Sequence, residues 1–221
     1  MKVVGVDGWR KGWVAITLDN GRFAAADAYT DIAEIFALED VAVVGIDMPV
    51  GLPDECHRRA DIAAKAVLGR RASSVFFAPP RTVLEADSYQ EANALSKERF
   101  GIGVSAQSYA LRNKILEVDT PAADDRRVFE VHPEVTFWML GGNALPSKKT
   151  WDGAQRRRRL LERSGVFLPD DLGSAGLVPV DDVLDAAAVS ISAFRIARDV
   201  AESLPDPPER NSAGRAMAIW Y

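Results

Sequence analysis

Apolar and polar positions along the first fifty residues predict three strands, a helix and a fourth strand. Residues 3–6 are an apolar run, and the next two segments, WVAITL and RFAAADA, are rich in strand-forming residues. Glycine-containing turns, GWRKG and DNG, separate these three segments. Residues 31–38 place apolar side chains on one helix face, with Thr30 as the N-cap. Residues 41–48 are almost continuously apolar, which is typical of a strand buried on both faces.

The order of these elements predicts where two acidic residues meet. Strands joined by tight turns pair antiparallel, so the first three strands form a meander. The fourth strand follows a helix and should therefore lie parallel to the first. Asp7 ends the first apolar run and Asp47 ends the fourth strand, so we expect both carboxylates at the same edge of the sheet.

The pattern changes after Pro49, where residues 50–126 predict a mostly helical insertion with two loops that contain glycine and serine. A polar linker, DTPAADD, then leads back to the sheet. The expected helices of the insertion are residues 57–68, 89–99 and 105–118.

The last third of the chain predicts one more strand of the sheet and three helices. Residues 127–131 form the short fifth strand, which delivers Glu130 and His132. Pro133 suits the first turn of the helix that follows. The longest helix begins at about Asp182, the tail PDPPERN is expected to be flexible, and AMAIWY to form a short edge strand.

The composition of the chain favours a folded protein and argues against several other classes of protein. A chain of 221 residues, 48% hydrophobic and 27% charged, predicts a single folded domain over residues 1–221. No apolar segment approaches the roughly 20 residues that span a bilayer. The first apolar run is too short for a signal peptide, so we expect a cytoplasmic protein. The net charge of −5 argues against a protein that coats DNA, although it allows a local basic groove or a small nucleotide substrate.

Metal chemistry, if present, must rest on carboxylates. The single Cys56 excludes an internal disulfide and a cysteine metal cluster. The two histidines, His57 and His132, are too few for a multi-histidine zinc site. Oxygen ligands favour hard cations such as Mg²⁺, and a pair of such ions supports phosphodiester cleavage.

Several acidic positions are candidates for such a site, and each also has a structural interpretation. Asp7 precedes Gly8 and fits an Asx turn equally well. Asp182 and Asp185 share one helix face and also suit a helix start. Glu130 fits an ion-pair partner for an arginine, whereas Asp47 after an apolar run favours function. The joint occurrence carries more weight than any single residue, because one topology gathers them.

Motifs along the whole chain resemble a known family. They are GVDGWRKGWV, GIDMPVGLP, RRASSVFFAPPR, GIGVSAQSYALRNKILEVD, VFEVHPEVTFWML, KKTWDGAQRRRRLL and DDVLDAAA. These segments resemble the domain of unknown function 429 family, which is described as predicted nucleases of ribonuclease H-like fold. The spacing of the late helix is also similar to the closing helix of RuvC-type resolvases. The resemblance implies an α/β fold in which helices flank a mixed five-stranded sheet.

The same resemblance implies roles for individual residues. Asp7, Asp47 and Asp185, with Asp182, would hold Mg²⁺ or Mn²⁺ for hydrolysis of a nucleic-acid phosphodiester. Glu130 and His132 would lie beside them, and His132 would bind the phosphate or shuttle a proton; a capping or core histidine fits it equally well.

Loops and basic residues supply candidate substrate contacts, because arginine, lysine and hydroxyl groups bind phosphate. The quadruple arginine of residues 156–159 surrounds a helix, so part of it is expected to be solvated surface. The candidates are Arg10, Lys11, Arg71, Ser73, Ser74, Gln107, Lys148 and Lys149.

Two other functions compete with a nuclease. A non-catalytic protein that binds a nucleotide or nucleic acid would fit the net acidity. An actin-like nucleotide phosphatase shares this core, and Asp7 with Gly8 resembles the opening of its first phosphate loop, but the sequence contains no second such loop and no adenosine motif.

Overall fold

A computed structural model describes residues 1–55 and 57–221. Cys56, on which the disulfide argument rests, lies outside the described residues. The chain divides into two compact units. The first comprises Met1–Met48, Arg126–Glu202 and Trp220–Tyr221, and the second comprises Pro49–Asp125 and Ser203–Ile219.

The first unit is built on a mixed five-stranded sheet of order β3-β2-β1-β4-β5. β1, β2 and β3 form the predicted antiparallel meander, and β4 and β5 lie parallel to β1. This confirms the α/β class with the mixed sheet of a ribonuclease H-like fold. The strands are β1 (Lys2–Trp9), β2 (Gly12–Asp19), β3 (Arg22–Tyr29), β4 (Val41–Ile46) and β5 (Val128–Glu130).

Helices occupy most of the rest of the chain, together with 3-10 turns at Gly69–Ser74 and Gly173–Leu177. The helices are α1 (Ile32–Phe36), α2 (Arg59–Leu68), α3 (Arg81–Leu84), α4 (Tyr89–Phe100), α5 (Ala106–Ala110), α6 (Arg112–Ala122), α7 (Pro133–Gly141), α8 (Trp151–Arg163) and α9 (Val180–Ala197). Among the described residues, no helix is long and apolar enough to cross a membrane.

Helix α9 packs closely on the centre of the sheet because small residues meet there. A Cβ added to Gly5 of β1 would lie 2.1 Å from the Ser190 backbone nitrogen. On β4, a Cβ at Gly45 would lie 3.0 Å from the Val189 side chain. Both glycines therefore face α9, and this close approach fixes which side of the sheet each neighbouring residue faces.

Three local predictions are wrong. The N-cap of α1 is Asp31, not Thr30, because the Asp31 carboxylate accepts from the Ala33 N–H in a capping box with Glu34. The expected helix at residues 105–118 is two helices, and α6 continues into the expected polar linker as far as Ala122.

The third concerns the tail that was expected to be flexible. Ser203–Arg210 form a strand, β6, which pairs with β7 (Ala216–Trp220) in a two-stranded sheet. Prolines lack an N–H donor, and a strand with one neighbour can accommodate them on its open side.

Candidate functional site

Asp7 and Asp47 lie side by side at one edge of the sheet, as predicted. Val6 of β1 is the register partner of Ile46 of β4, and the Asp47 N–H donates to the Val6 carbonyl at 2.9 Å. Because side chains alternate along a strand, Asp7 lies on the same face as Gly5, toward α9. Asp7 is buried, whereas Asp47, just beyond the end of β4, is partly exposed.

Helix α9 adds a third carboxylate to this face. Asp185 lies in the second turn of α9 and is 1% exposed. Its charge raises the pKa of Asp7, and the charge of Asp47 in turn raises the pKa of Asp185. We call Asp7, Asp47 and Asp185 the acidic group. Asp182, one turn earlier, is half-buried and also repels Asp7 and Asp47.

Crowding of negative charge away from water is the dominant electrostatic feature of the acidic group. Burial, followed by repulsion from Asp47 and Asp185, raises the pKa of Asp7 well above its usual value. Burial likewise raises the pKa of Asp47 to about 7 and that of Asp185 to about 7, against the opposing attraction of Lys148. Burial and the neighbouring Asp181 raise the pKa of Asp182.

Lys148 is the cation of this site. Its ammonium group donates to Asp185 Oδ2 and lies 4.0 Å from Asp181 Oδ2. Burial lowers the pKa of Lys148, but attraction to Asp185, their hydrogen bond and attraction to Asp7 and Asp47 together raise it above the usual value. The residue was expected as a phosphate contact, and in this structure it pairs with a carboxylate of the acidic group.

The acidic group has the chemistry of a site for a hard divalent cation. The Oδ1 atom of Asp185 is buried and has no hydrogen-bond partner within the described residues. An uncompensated carboxylate oxygen among other carboxylates is a suitable ligand for Mg²⁺ or Mn²⁺. Among residues 1–55 and 57–221, no three histidine, cysteine or acidic side chains form a ready-made metal site. With Lys148 bound to Asp185, a metal ion would therefore require local rearrangement of side chains.

Two functional candidates were missed by sequence reasoning. Glu134, in the first turn of α7, is buried and raises the pKa values of Asp47 and Asp185. Arg157, fully buried in α8, donates to Glu134 Oε1 at 2.5 Å and to the Pro146 carbonyl at 2.9 Å. The acidic side chain after Pro133 was a usable signal for Glu134. Within the quadruple arginine, Arg157 shares a helix face with Leu160 and Leu161, and this apolar spacing was a usable signal for the buried member.

Glu130 is not brought into the acidic group. It is the register partner of Ile46, and side chains of register partners in parallel strands lie on the same face. Ile46 lies one residue before Asp47, so Glu130 faces the side of the sheet opposite α9, where it is buried. His132 precedes Pro133 as the N-cap residue of α7 and is partly buried, and its catalytic role stays a prediction.

The predicted substrate contacts fall in both units. Arg10 and Lys11 form the exposed two-residue turn between β1 and β2, three and four residues beyond Asp7. Lys149 is exposed next to Lys148. The others belong to the second unit, and their role stays a prediction. They are Arg71, Ser73 and Ser74 of a 3-10 turn, where the Ser74 hydroxyl donates to the Arg71 carbonyl at 2.8 Å, and the exposed Gln107 of α5.

Comparison with known proteins assigns the chain to a family. Searches of curated proteins and of solved structures gave no match. The family model described as "Protein of unknown function (DUF429)" matches residues 5–210, which include most of the five-stranded sheet and the whole acidic group. The chain therefore belongs to the DUF429 family.

Proposed function

We propose that this protein is a metal-dependent phosphodiesterase that acts on a nucleic acid in the cytoplasm. The observation that carries the proposal is the acidic group at the strand ends, with the Asp185 Oδ1 atom buried and without a hydrogen-bond partner. Buried carboxylates with raised pKa values are a frequent feature of functional sites. Oxygen ligands of this kind favour Mg²⁺ or Mn²⁺.

The carboxylates and the nearby cations would have separate roles in the reaction. Asp7, Asp47 and Asp185 would hold the metal, which supplies an activated water and neutralises charge on the phosphate when bound. Lys149 is exposed beside this group and would bind a phosphate of the substrate. Arg10 and Lys11, in the turn after Asp7, are exposed and would supply further phosphate contacts.

Cleavage assays test the proposal directly. Single-stranded, duplex, branched and RNA:DNA substrates are incubated with Mg²⁺ or Mn²⁺ and the wild-type protein, Asp7→Asn or Asp47→Asn. We expect metal-dependent cleavage that falls by at least about a hundredfold in both variants. Asp170→Asn is the matched control, since Asp170 is fully exposed. Cleavage that persists in Asp47→Asn, or that needs no metal, would overturn the assignment of the site.

One observation favours a second candidate, a non-catalytic protein that binds nucleotide or nucleic acid. The bond between Lys148 and Asp185 already neutralises part of the acidic group without a metal. A Lys148→Met variant separates the two functions. If Lys148 competes with the metal for Asp185, the variant binds Mn²⁺ more tightly than the wild type. If Lys148 is the permanent counter-ion, the variant loses stability and binds Mn²⁺ no better.

A further inference from the structure

Among the described residues, a single tryptophan is left almost completely in water, three residues after the lysine that contacts the acidic group. Trp151, the first residue of α8, is 79% exposed. Large aromatic side chains usually contribute their area to a core or an interface. Trp151 follows Lys148 by three residues, so its Cα lies within about 11 Å of the Cα of the lysine that contacts Asp185.

The segment that carries Trp151 is held firmly in place. A Cβ at Gly153 would lie 2.0 Å from the Ser147 carbonyl oxygen, so the first turn of α8 presses on the preceding loop. The Thr150 hydroxyl caps α8 at the Gly153 N–H and donates to Ser147. The buried guanidinium group of Arg157 donates hydrogen bonds to the carbonyls of Pro146 and Gly153. The tryptophan is thus presented by a fixed loop, which lowers the entropic cost of binding through it.

Basic residues predominate in the segment that carries this tryptophan. Residues 148–163 contain seven basic and two acidic side chains. The two acidic ones, Asp152 and Glu162, are paired with Arg156 and Arg158. Lys149, Arg159 and Arg163 are exposed. Arg159 and Arg163 lie about 12 and 18 Å from Trp151 along the helix axis and about 80° and 120° round it, so these side chains follow an oblique path over the surface of α8.

From this geometry we infer that Trp151 and the exposed cations of α8 bind a single-stranded nucleic acid, with an unpaired base stacked on the indole ring. Single strands are recognised by aromatic rings that stack on bases beside cations that follow the phosphates. Bases within a duplex are covered on both faces by their neighbours, so the indole selects against duplex. The inference rests on the proposed function in one respect: it makes the single strand the substrate of the acidic group.

Binding is measured separately from cleavage. Fluorescence anisotropy of labelled 15-nucleotide single strands, the matching duplex and an abasic strand is recorded in EDTA. The full-length wild type is compared with Trp151→Ala, Trp151→Phe and Phe167→Ala. Phe167 is a second exposed aromatic residue of the first unit and serves as the control. Circular dichroism melts confirm that each variant is folded.

We expect the wild type to prefer the single strand over both duplex and abasic strand. Trp151→Ala should weaken single-strand binding by about tenfold, while Trp151→Phe and Phe167→Ala bind nearly as the wild type does. Equal affinity for single strand and duplex, or unchanged binding by Trp151→Ala, would overturn the inference. Absence of nucleic-acid binding, with Trp151-dependent binding to anionic lipid vesicles instead, would overturn it as well.

The two proposals fail in different ways. Metal-dependent cleavage that is indifferent to Trp151→Ala leaves the proposed function intact and removes this inference. Tight, Trp151-dependent binding of single strands without cleavage in any metal leaves this inference intact and removes the phosphodiesterase.

Discussion

At the scale of single residues, the backbone contact of Asp7 is compatible with the metal-ligand role proposed for it. Asp7 lies inside β1 rather than in the turn, and its Oδ1 atom accepts from the Gly8 N–H at 2.7 Å. That bond fixes the orientation of the carboxylate, which still takes part in the electrostatics of the acidic group. A local backbone bond and a ligand role are therefore compatible, because a carboxylate has two oxygens.

The raised pKa of Asp7 predicts a pH-dependent loss of stability in the metal-free protein. Below about pH 4 the carboxyl group is protonated in both folded and unfolded states, so its environment does not affect stability. As the pH rises above this, the unfolded chain releases the proton while burial and repulsion retain it in the folded chain. The free energy of unfolding therefore falls with rising pH by up to about 1.4 kcal/mol per pH unit from this residue.

The comparison that isolates this effect is the wild type against Asp7→Asn in EDTA. Urea unfolding at pH 4.5 to 8 should show a variant that gains stability over the wild type as the pH rises toward the raised pKa of Asp7 in the folded chain. Asp170→Asn, at a fully exposed position, should show no such trend. A stability difference between wild type and Asp7→Asn that is the same at every pH would contradict the assigned burial.

At the scale of elements, the loop before α8 and the first turn of α7 are joined through one buried arginine. Arg157 contacts Glu134, the loop carbonyl of Pro146 and the ring of Phe137 at 5.2 Å. The loop between them carries Lys148 into the acidic group and Trp151 into solvent. The positions of Lys148 and Trp151 thus depend on the contacts that Arg157 makes on the buried face of α8.

Replacement of Arg157 should destabilise the protein, whereas replacement of its neighbour should not. Arg157→Met removes the arginine that pairs with the buried carboxylate of Glu134, so we expect a loss of about 3–5 kcal/mol in the free energy of unfolding. Arg159→Met, two residues away on the exposed surface, should change stability by no more than about 0.5 kcal/mol. Chemical denaturation of both variants is the measurement, and equal losses would refute the burial of Arg157.

The elements also show what sequence can and cannot predict. The apolar runs of β1 and β4 and the helix between them were sufficient to predict parallel pairing, and with it the meeting of Asp7 and Asp47. The side of the sheet on which Glu130 lies could not be predicted from the sequence. In a three-residue strand, a shift of one residue in the register moves every side chain to the opposite face. The pairing of Lys148 with Asp185 depends on close packing at Gly153, which no local pattern encodes.

At the scale of the whole molecule, the acidic group belongs entirely to the first unit. Its members come from Met1–Met48 and Arg126–Glu202, which are separated in the chain by the second unit's Pro49–Asp125. Formation of the site therefore requires contacts between distant parts of the sequence. Because the chain has two compact units, its unfolding need not be a single two-state transition.

Divalent metal should stabilise the first unit if the acidic group binds it. A ligand at about 100 times its dissociation constant adds about 2.7 kcal/mol to the stability of the unit that binds it. For a chain of this size, that corresponds to a rise of about 5–10 °C in the melting temperature. Calorimetry with and without Mn²⁺ measures the shift, and hydrogen exchange of β1 and α9 assigns the transition to the first unit.

General screening must be separated from a bound ion, because the chain carries a net charge of −5 and any salt reduces its self-repulsion. NaCl at the same ionic strength therefore serves as one control, and Asp7→Asn as the other. A bound metal raises the melting temperature of the wild type in Mn²⁺ alone and leaves Asp7→Asn unaffected. The same rise in NaCl, or in both proteins, would mean that the acidic group holds no metal. Lys148 would then be its only counter-ion among the described residues.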